Sequence, residues 1–354
     1  MNTKRLLGIG AVGLLSIALL AGCRANNNSG SSDSGSKAKT DLKVAIVTDT
    51  GGVNDKSFNQ GAWEGLQAWG KSMGLSKGKG INYFQSNSEA DYANNFNSAK
   101  SGGYKLVFGI GFALQTATQD AAKANSDINY AIIDSTITGD NTVSATFADN
   151  EAAYLAGVAA AKTTKTNHVG FIGGMDSDVI TRFRVGFEAG VKSVDPSIKI
   201  DSQLAGSFTD AGKGKTLAQS MYSAGADVIY QAAGGVGAGV FAQAKAVNEG
   251  KDEADKVWVI GVDRDQNDEG NYKSKDGKES NFVLCSTLKG VGAVVKDVST
   301  KAADGKFPGG QILTYDLKNS GVDLTTTHLS SAAKDAVKAA KQDIVDGKAT
   351  VPEK

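Results

Sequence analysis

The chain has 354 residues, with 38 Lys and Arg against 38 Asp and Glu and only two His. That balance, with no basic cluster standing out, argues against nucleic acid as a partner. Two cysteines cannot form a disulfide framework, whereas a chain this long that is 40% hydrophobic can build two domains with real cores.

The N-terminus is organised for export. Lys4 and Arg5 open it, Leu6 to Leu20 form an apolar run too short for a comfortable membrane span, and Leu20-Ala21-Gly22-Cys23 closes it. This pattern resembles a bacterial lipobox, in which the Cys thiol takes a lipid and the chain is cut just before it. Residues 1–22 are expected to be a lipoprotein signal peptide, with Cys23 as the lipidation site and the extracytoplasmic face of the cell membrane as the location. An ordinary secretory signal or a short membrane anchor is the simpler alternative. Residues 23–40 are mostly Asn, Ser, Gly, Asp and Lys and read as a flexible tether. Without Lys4 and Arg5 the mature chain is about two units negative. Cys285 is then the one cysteine left, in the apolar run Phe282-Val283-Leu284-Cys285, where it reads as a small buried hydrophobe.

From Leu42 short apolar runs alternate with longer amphipathic ones. Strands are expected at 42–48, 81–85, 106–110, 130–134 and 143–147, and helices at 61–73, 92–101 and 113–124. The pattern then restarts. Helices are expected at 150–161, 179–194, 213–224 and 238–248, and strands at 169–172, 198–204, 228–231, 257–262 and 282–287. Helices at 291–303 and 331–345 complete it. Val44-Ala45-Ile46-Val47 and Ala131-Ile132-Ile133 are continuous apolar runs of the buried parallel kind. This is an α/β chain with two doubly wound parallel-sheet domains facing a cleft. Ligands meet such sheets at the carboxyl ends of strands, which nominates Asp49, residues 109–112, Asp134, Gly173, Gly174, residues 234–239, Asp263 and Lys289.

The loop from Thr48 to Gln60 is the most pointed of these. Gly51-Gly52 allow a sharp turn, Asn54 or Ser57 could cap the following helix, and Phe58 stands in polar company where no core period places it. A loop aromatic there suits a flat ligand with polar edges, or it staples the helix start. Asp55-Lys56-Ser57-Phe58-Asn59-Gln60 with Trp63-Glu64-Gly65 resembles the signature of the basic membrane protein family of solute-binding lipoproteins. So do Gly206-Ser207-Phe208-Thr209-Asp210, Ala232-Ala233-Gly234-Gly235, Gly261-Val262-Asp263 and Leu288-Lys289-Gly290. Within that family the chain looks most like the purine nucleoside receptors that serve ABC importers.

The resemblance implies a type I periplasmic-binding-protein fold, two α/β domains joined by a three-strand hinge. The expected domains are 41–149 plus about 289–306, and 150–288 plus about 307–354. It also implies a binding protein with no cofactor and no catalysis, a monomer that takes adenosine, guanosine or inosine and docks on an ABC permease. By motif, Asp49 and Asn59 would read ligand polar edges, and Phe58 and Phe208 would stack on the two faces of the base. Phe183 is the rival for the second face. Asp134, Asp263 and Lys289 would hold the ribose hydroxyls, and Gly235 would let the ligand approach the backbone. Riboflavin, a sugar or a peptide signal on the same scaffold stays an alternative, as does an NAD-dependent enzyme.

Other constellations fall short. The run Gly234 to Gly239 follows a strand but misses the G-x-G-x-x-G spacing. Residues 263–274 begin like a calcium loop but carry Asp268 where Gly is needed and Ser274 where Glu is needed. His168 and His328 lack metal-spaced partners, so no metal is expected, and His168 reads as a capping or surface residue.

Overall fold

The computed structural model describes residues 39–354. The signal peptide, Cys23 and the tether up to residue 38 lie outside the described residues. The end of the expected tether is already tied down, because the Lys39 N–H donates to Met73 O at 2.9 Å.

Strands and helices alternate through most of the described residues. The first part runs β1 (Val44–Thr48), α1 (Phe58–Met73), β2 (Ser76–Lys77), β3 (Gly80–Phe84), α2 (Tyr92–Ser101), β4 (Leu106–Ile110), α3 (Gln115–Ala124), β5 (Asn129–Ile133) and β6 (Thr142–Phe147). Next come α4 (Asp149–Thr163), β7 (His168–Gly173), α5 (Asp178–Val194), β8 (Lys199–Leu204), α6 (Ala211–Ser223), β9 (Val228–Ala232), α7 (Val236–Glu249) and β10 (Trp258–Gly261). The rest is β11 (Asn271–Lys273), β12 (Glu279–Asn281), β13 (Val283–Lys289), α8 (Val291–Ala303), β14 (Gln311–Tyr315), β15 (Val322–Leu324) and α9 (Ser331–Val345).

Two sheets result. The first has the order β14-β6-β5-β4-β1-β3-β2, and its central strands pair in parallel. The second has the order β15-β13-β10-β9-β7-β8 and is parallel except where β15 joins β13. Side chains alternate across each strand, so a doubly covered strand must be apolar at every position. In β1, Val44 and Ile46 pack with Leu66 and Trp69 of α1, while Ala45 and Val47 pack with Phe96 and Tyr92 on the other face. This is the type I periplasmic-binding-protein architecture of two α/β lobes.

The chain crosses between lobes three times, from β6 to α4, from β13 to α8, and from β14 to β15. The crossings are stitched together. Ala148 N–H donates to Tyr315 O at 2.8 Å, and Gly290 N–H donates to Gly321 O at 2.9 Å. After the second crossing α8 packs on α1 so closely that a Cβ on Gly65 would lie 2.3 Å from Gly292 O.

The expected boundary near 307 needs correction. Residues 311–315 form β14, which pairs in parallel with β6 at the edge of the first sheet, so the first lobe continues to Tyr315. This strand, like β15 and the β11–β12 hairpin, was not legible as a strand in the sequence. Gln-Ile-Leu-Thr-Tyr is an edge strand with mostly exposed residues, and an edge does not demand a continuous apolar run.

Candidate ligand-binding cleft

The cleft begins with the loop after β1. Asp49 Oδ1 accepts from Gly51 N–H and from Asn59 Nδ2, both at 2.8 Å. Asp55 organises the rest. Its carboxylate accepts the backbone N–H groups of Ser57, Asn59 and Gln60 at 2.9, 2.8 and 3.1 Å, and Asn59 Nδ2 at 2.9 Å. A carboxylate at a helix N-terminus satisfies orphan donors and complements the dipole. Asp55 therefore does the capping expected of Asn54 or Ser57. Ser57 holds the N-cap position without a side-chain cap bond, and its Oγ donates instead to Asp263 Oδ2 in the other lobe. With that support α1 starts at Phe58, three residues before the expected Gly61. Phe58 is thus a first-turn helix residue rather than a loop residue, and it lines the cleft.

Asp134 and Asp263 occupy matching places just past β5 and β10. Both adopt left-handed backbone, with φ of 65° and 66°. That region is costly for a residue with a Cβ, and such strain collects at functional sites. Lys289 ends β13. Its Nζ lies 2.6 Å from Asp134 Oδ2 and 2.9 Å from Asp149 Oδ1, with only 3% of the side chain exposed. Arg182 backs Asp149 through a 3.1 Å contact. Neither Asp149 nor Arg182 was singled out from the sequence.

Four carboxylates, Asp49, Asp55, Asp134 and Asp263, line the cleft with one cation, Lys289. Burial disfavours their charged forms. It pushes Asp49 up to about 6, assisted by the charges of Asp55 and Asp134. Burial likewise pushes Asp134 up to about 6 and Asp263 up to about 7, against the pull of Lys289. For Lys289 burial opposes the charge, but Asp134, Asp149 and Asp263 outweigh it and hold its pKa above the ordinary lysine value. Two buried acceptors of the walls, Asn59 Oδ1 and Asp134 Oδ1, make no hydrogen bond within the protein.

The aromatic lining comes from both lobes. Phe112, after β4, meets Phe208 of the other lobe edge-on, with centroids 6.3 Å apart. The Phe208 ring rests against Gly174, where a Cβ would come within 2.1 Å of it. Phe183 projects from α5 and is only 4% exposed, its ring packed on Tyr230. The Lys289 ammonium lies 5.3 Å from the Phe58 ring centre and 5.5 Å from that of Phe183.

The cleft has about 550 Å³ of space, counting its open mouth. It brings together Asp49, Phe58, Asn59, Asp134, Phe183, Phe208, Asp263 and Lys289. Gly235 is the exception. Gly234, with φ of 55°, lines the cleft, while Gly235 caps α7. Gly239 of that run serves helix packing, since a Cβ there would lie 1.8 Å from Ala211 O. The expectation for His168 also changes. It is buried, with Nδ1 3.2 Å from Ala224 O, rather than a surface residue.

Two lobes on parallel sheets, three crossings between them, and a polar and aromatic cleft at the strand ends define a two-lobed solute-binding protein. Residues 42–354 match the Bmp family, described as "ABC transporter substrate-binding protein PnrA-like". The chain is 64% identical over 352 residues to the "ABC transporter nucleoside-binding protein BmpA" of Lactococcus lactis subsp. cremoris, covering 99% of each. It is 51% identical over 323 residues to the "CD4+ T-cell-stimulating antigen" of Listeria monocytogenes serovar 1/2a, covering 90% of each. Among solved structures it is similar to an ABC transporter solute-binding protein from Aeropyrum pernix K1. That match has a TM-score of 0.75 and 24% identity, and covers 88% of this chain and 94% of the other. The chain belongs to the basic membrane protein family of ABC transporter substrate-binding proteins, and it is a binding protein rather than an enzyme.

Proposed function

We propose that the chain is the lipid-anchored receptor of an ABC importer and takes purine nucleosides such as adenosine, guanosine and inosine in its interlobe cleft. The observation that carries this is the meeting of aromatic rings from both lobes with the Asp134–Asp263–Lys289 cluster in one cleft. Phe58 and Phe208 stack on the base. Phe208 suits this better than Phe183, whose ring is spent on Tyr230. Asp49 and Asn59 read the polar edge of the base, with Gly234 rather than Gly235 allowing close approach. Asp134 and Asp263 accept from ribose hydroxyls, and Lys289 donates to them and balances the charge. The name of the Lactococcus relative points the same way. Ligand bridging the lobes shifts an open–closed equilibrium, and the closed monomer docks on the permease.

Calorimetry on residues 24–354 should show adenosine, guanosine and inosine binding much more tightly than the free bases, with no conversion of the nucleoside. Ionised carboxylates accept ligand donors more strongly than protonated ones, and burial pushes Asp49, Asp134 and Asp263 up to about 6, 6 and 7. Affinity should therefore weaken as pH falls from 8 to 5. Equal affinity for adenine and adenosine removes the ribose roles, and affinity that is flat or rising toward pH 5 removes the carboxylate roles.

Membrane attachment rests on Cys23. A Cys23→Ala variant should keep its signal peptide or shed into the medium, whereas the parent fractionates with membranes. A variant that stays membrane-bound, with its signal cut in the parent's place, defeats the lipid-anchor reading.

A further inference from the structure

We infer that Gln266 is a positioning residue for closure: anchored in lobe 2, it hydrogen-bonds the Lys56 carbonyl of lobe 1 and, with the adjacent Ser57–Asp263 bond, latches the cleft shut. This rests on the reading of the cleft as the ligand site. Gln266 does not line that cleft, and it is 5% exposed. Its Oε1 accepts from Gln231 Nε2 at 2.8 Å and from Val262 N–H at 2.9 Å, and its own N–H donates to Ser286 Oγ at 3.1 Å. Those three bonds lie within lobe 2; the first two orient the side-chain amide and the third fixes the backbone. Its Nε2 then has a proton to spare, which goes to Lys56 O at 3.0 Å.

The lobe 1 side is equally fixed. Lys56 has φ of 59°, a left-handed conformation that L residues with a Cβ avoid. It is held there between Asp55, which caps α1, and Ser57, whose Oγ reaches Asp263. A strained carbonyl thus meets a rigid donor where the loop that begins at Asp49 touches lobe 2. Two further pairs span the same seam, Lys56–Glu269 at 3.5 Å and Arg264–Glu64 at 3.4 Å. They are solvent-exposed and contribute little. Bonds made between lobes add only to the closed state, so they slow ligand escape without touching the ligand.

The discriminating variant is Gln266→Glu. Ionised, at pH 8, it keeps the Oε1 acceptor used by Gln231 and Val262 and replaces the donor to Lys56 with an acceptor, whereas the protonated acid could still donate to Lys56 O. Ser57→Ala removes the neighbouring cross-lobe donor but also strips a hydrogen bond from the Asp263 carboxylate, so its lobe distances rather than its dissociation rate report on the latch. In the full chain, adenosine dissociation measured by stopped flow should speed up about tenfold in each variant, the effect of one hydrogen bond of ordinary net strength. Association should be unchanged, whereas the ligand-free thermal midpoint of Gln266→Glu should fall, because position 266 is 5% exposed and the variant buries a charge there. Spin-label distances between α2 and α6 should shift toward longer, open values in both variants. Dissociation rates and distances like the parent's in both variants overturn the latch. Faster dissociation of Gln266→Glu with lobe distances like the parent's also overturns it, since the role is then structural. If the parent does not bind adenosine, the nucleoside reading falls, and the distance shift alone decides the latch.

Discussion

Lys289→Met should lower the thermal midpoint by on the order of 5–10 °C and abolish measurable nucleoside binding. The side chain is nearly isosteric, so the loss is of charge rather than volume. In the parent the ammonium sits 2.6 Å from Asp134 and 2.9 Å from Asp149, with almost none of the side chain exposed. Removing one partner of a buried ion cluster leaves uncompensated charge and costs about 3–5 kcal/mol. For a chain of this size each kcal/mol moves the midpoint by about 2 °C or somewhat less. The pH dependence gives the sign. Asp134 already titrates at about 6, pushed up by burial, and loss of Lys289 pushes it higher. A carboxylate whose folded pKa exceeds its unfolded value destabilises progressively as pH rises above the unfolded value, and not below it. The deficit of Lys289→Met should therefore be small at pH 5 and large at pH 8. Adding Asp134→Asn should restore part of the stability at pH 8 but not the binding. A single variant as stable as the parent at pH 8 sinks this account of the cluster.

How much of this was legible beforehand depends on the range of the interaction. β1 and β5 announce themselves because strands covered on both faces must be apolar throughout. Asp49, Asp134, Asp263 and Lys289 were reachable because parallel sheets place ligand residues just past strand ends. Asp149 was not. In sequence it reads as an acid in the first turn of α4, where the dipole alone explains it, and its pairing with Lys289 depends on two crossings meeting at the hinge. Asp55 could have been found, since an acid three residues before the helix start at Phe58 is a capping pattern. Phe112 was nominated only as the last residue of the 109–112 strand-end loop, and its aromatic role emerges from facing Phe208 across the cleft. β14 was missed for the opposite reason. An edge strand with polar and exposed residues carries no periodic signal, yet its misplacement moved a domain boundary.

The same division between local pattern and cleft geometry separates the three phenylalanines. Phe58→Ala and Phe208→Ala should each weaken purine nucleoside binding by roughly ten- to a hundredfold. Base–aromatic stacking contributes about 1–3 kcal/mol per face, and 1.4 kcal/mol is a factor of ten. Both rings are only half-buried, so ligand-free stability should fall modestly. Phe183→Ala should behave in the reverse way. Its ring is 4% exposed and packed on Tyr230 beside Phe187, so truncation opens a cavity and costs about 3–5 kcal/mol of stability. The fraction still folded should bind nucleoside nearly as the parent does. Calorimetry at a temperature where all three variants are folded, paired with thermal melts, separates binding from stability. If Phe183→Ala loses binding while Phe208→Ala keeps it, the second stacking face belongs to α5 and not to the loop after β8. If Phe58→Ala and Phe208→Ala both bind like the parent, the base does not lie between them.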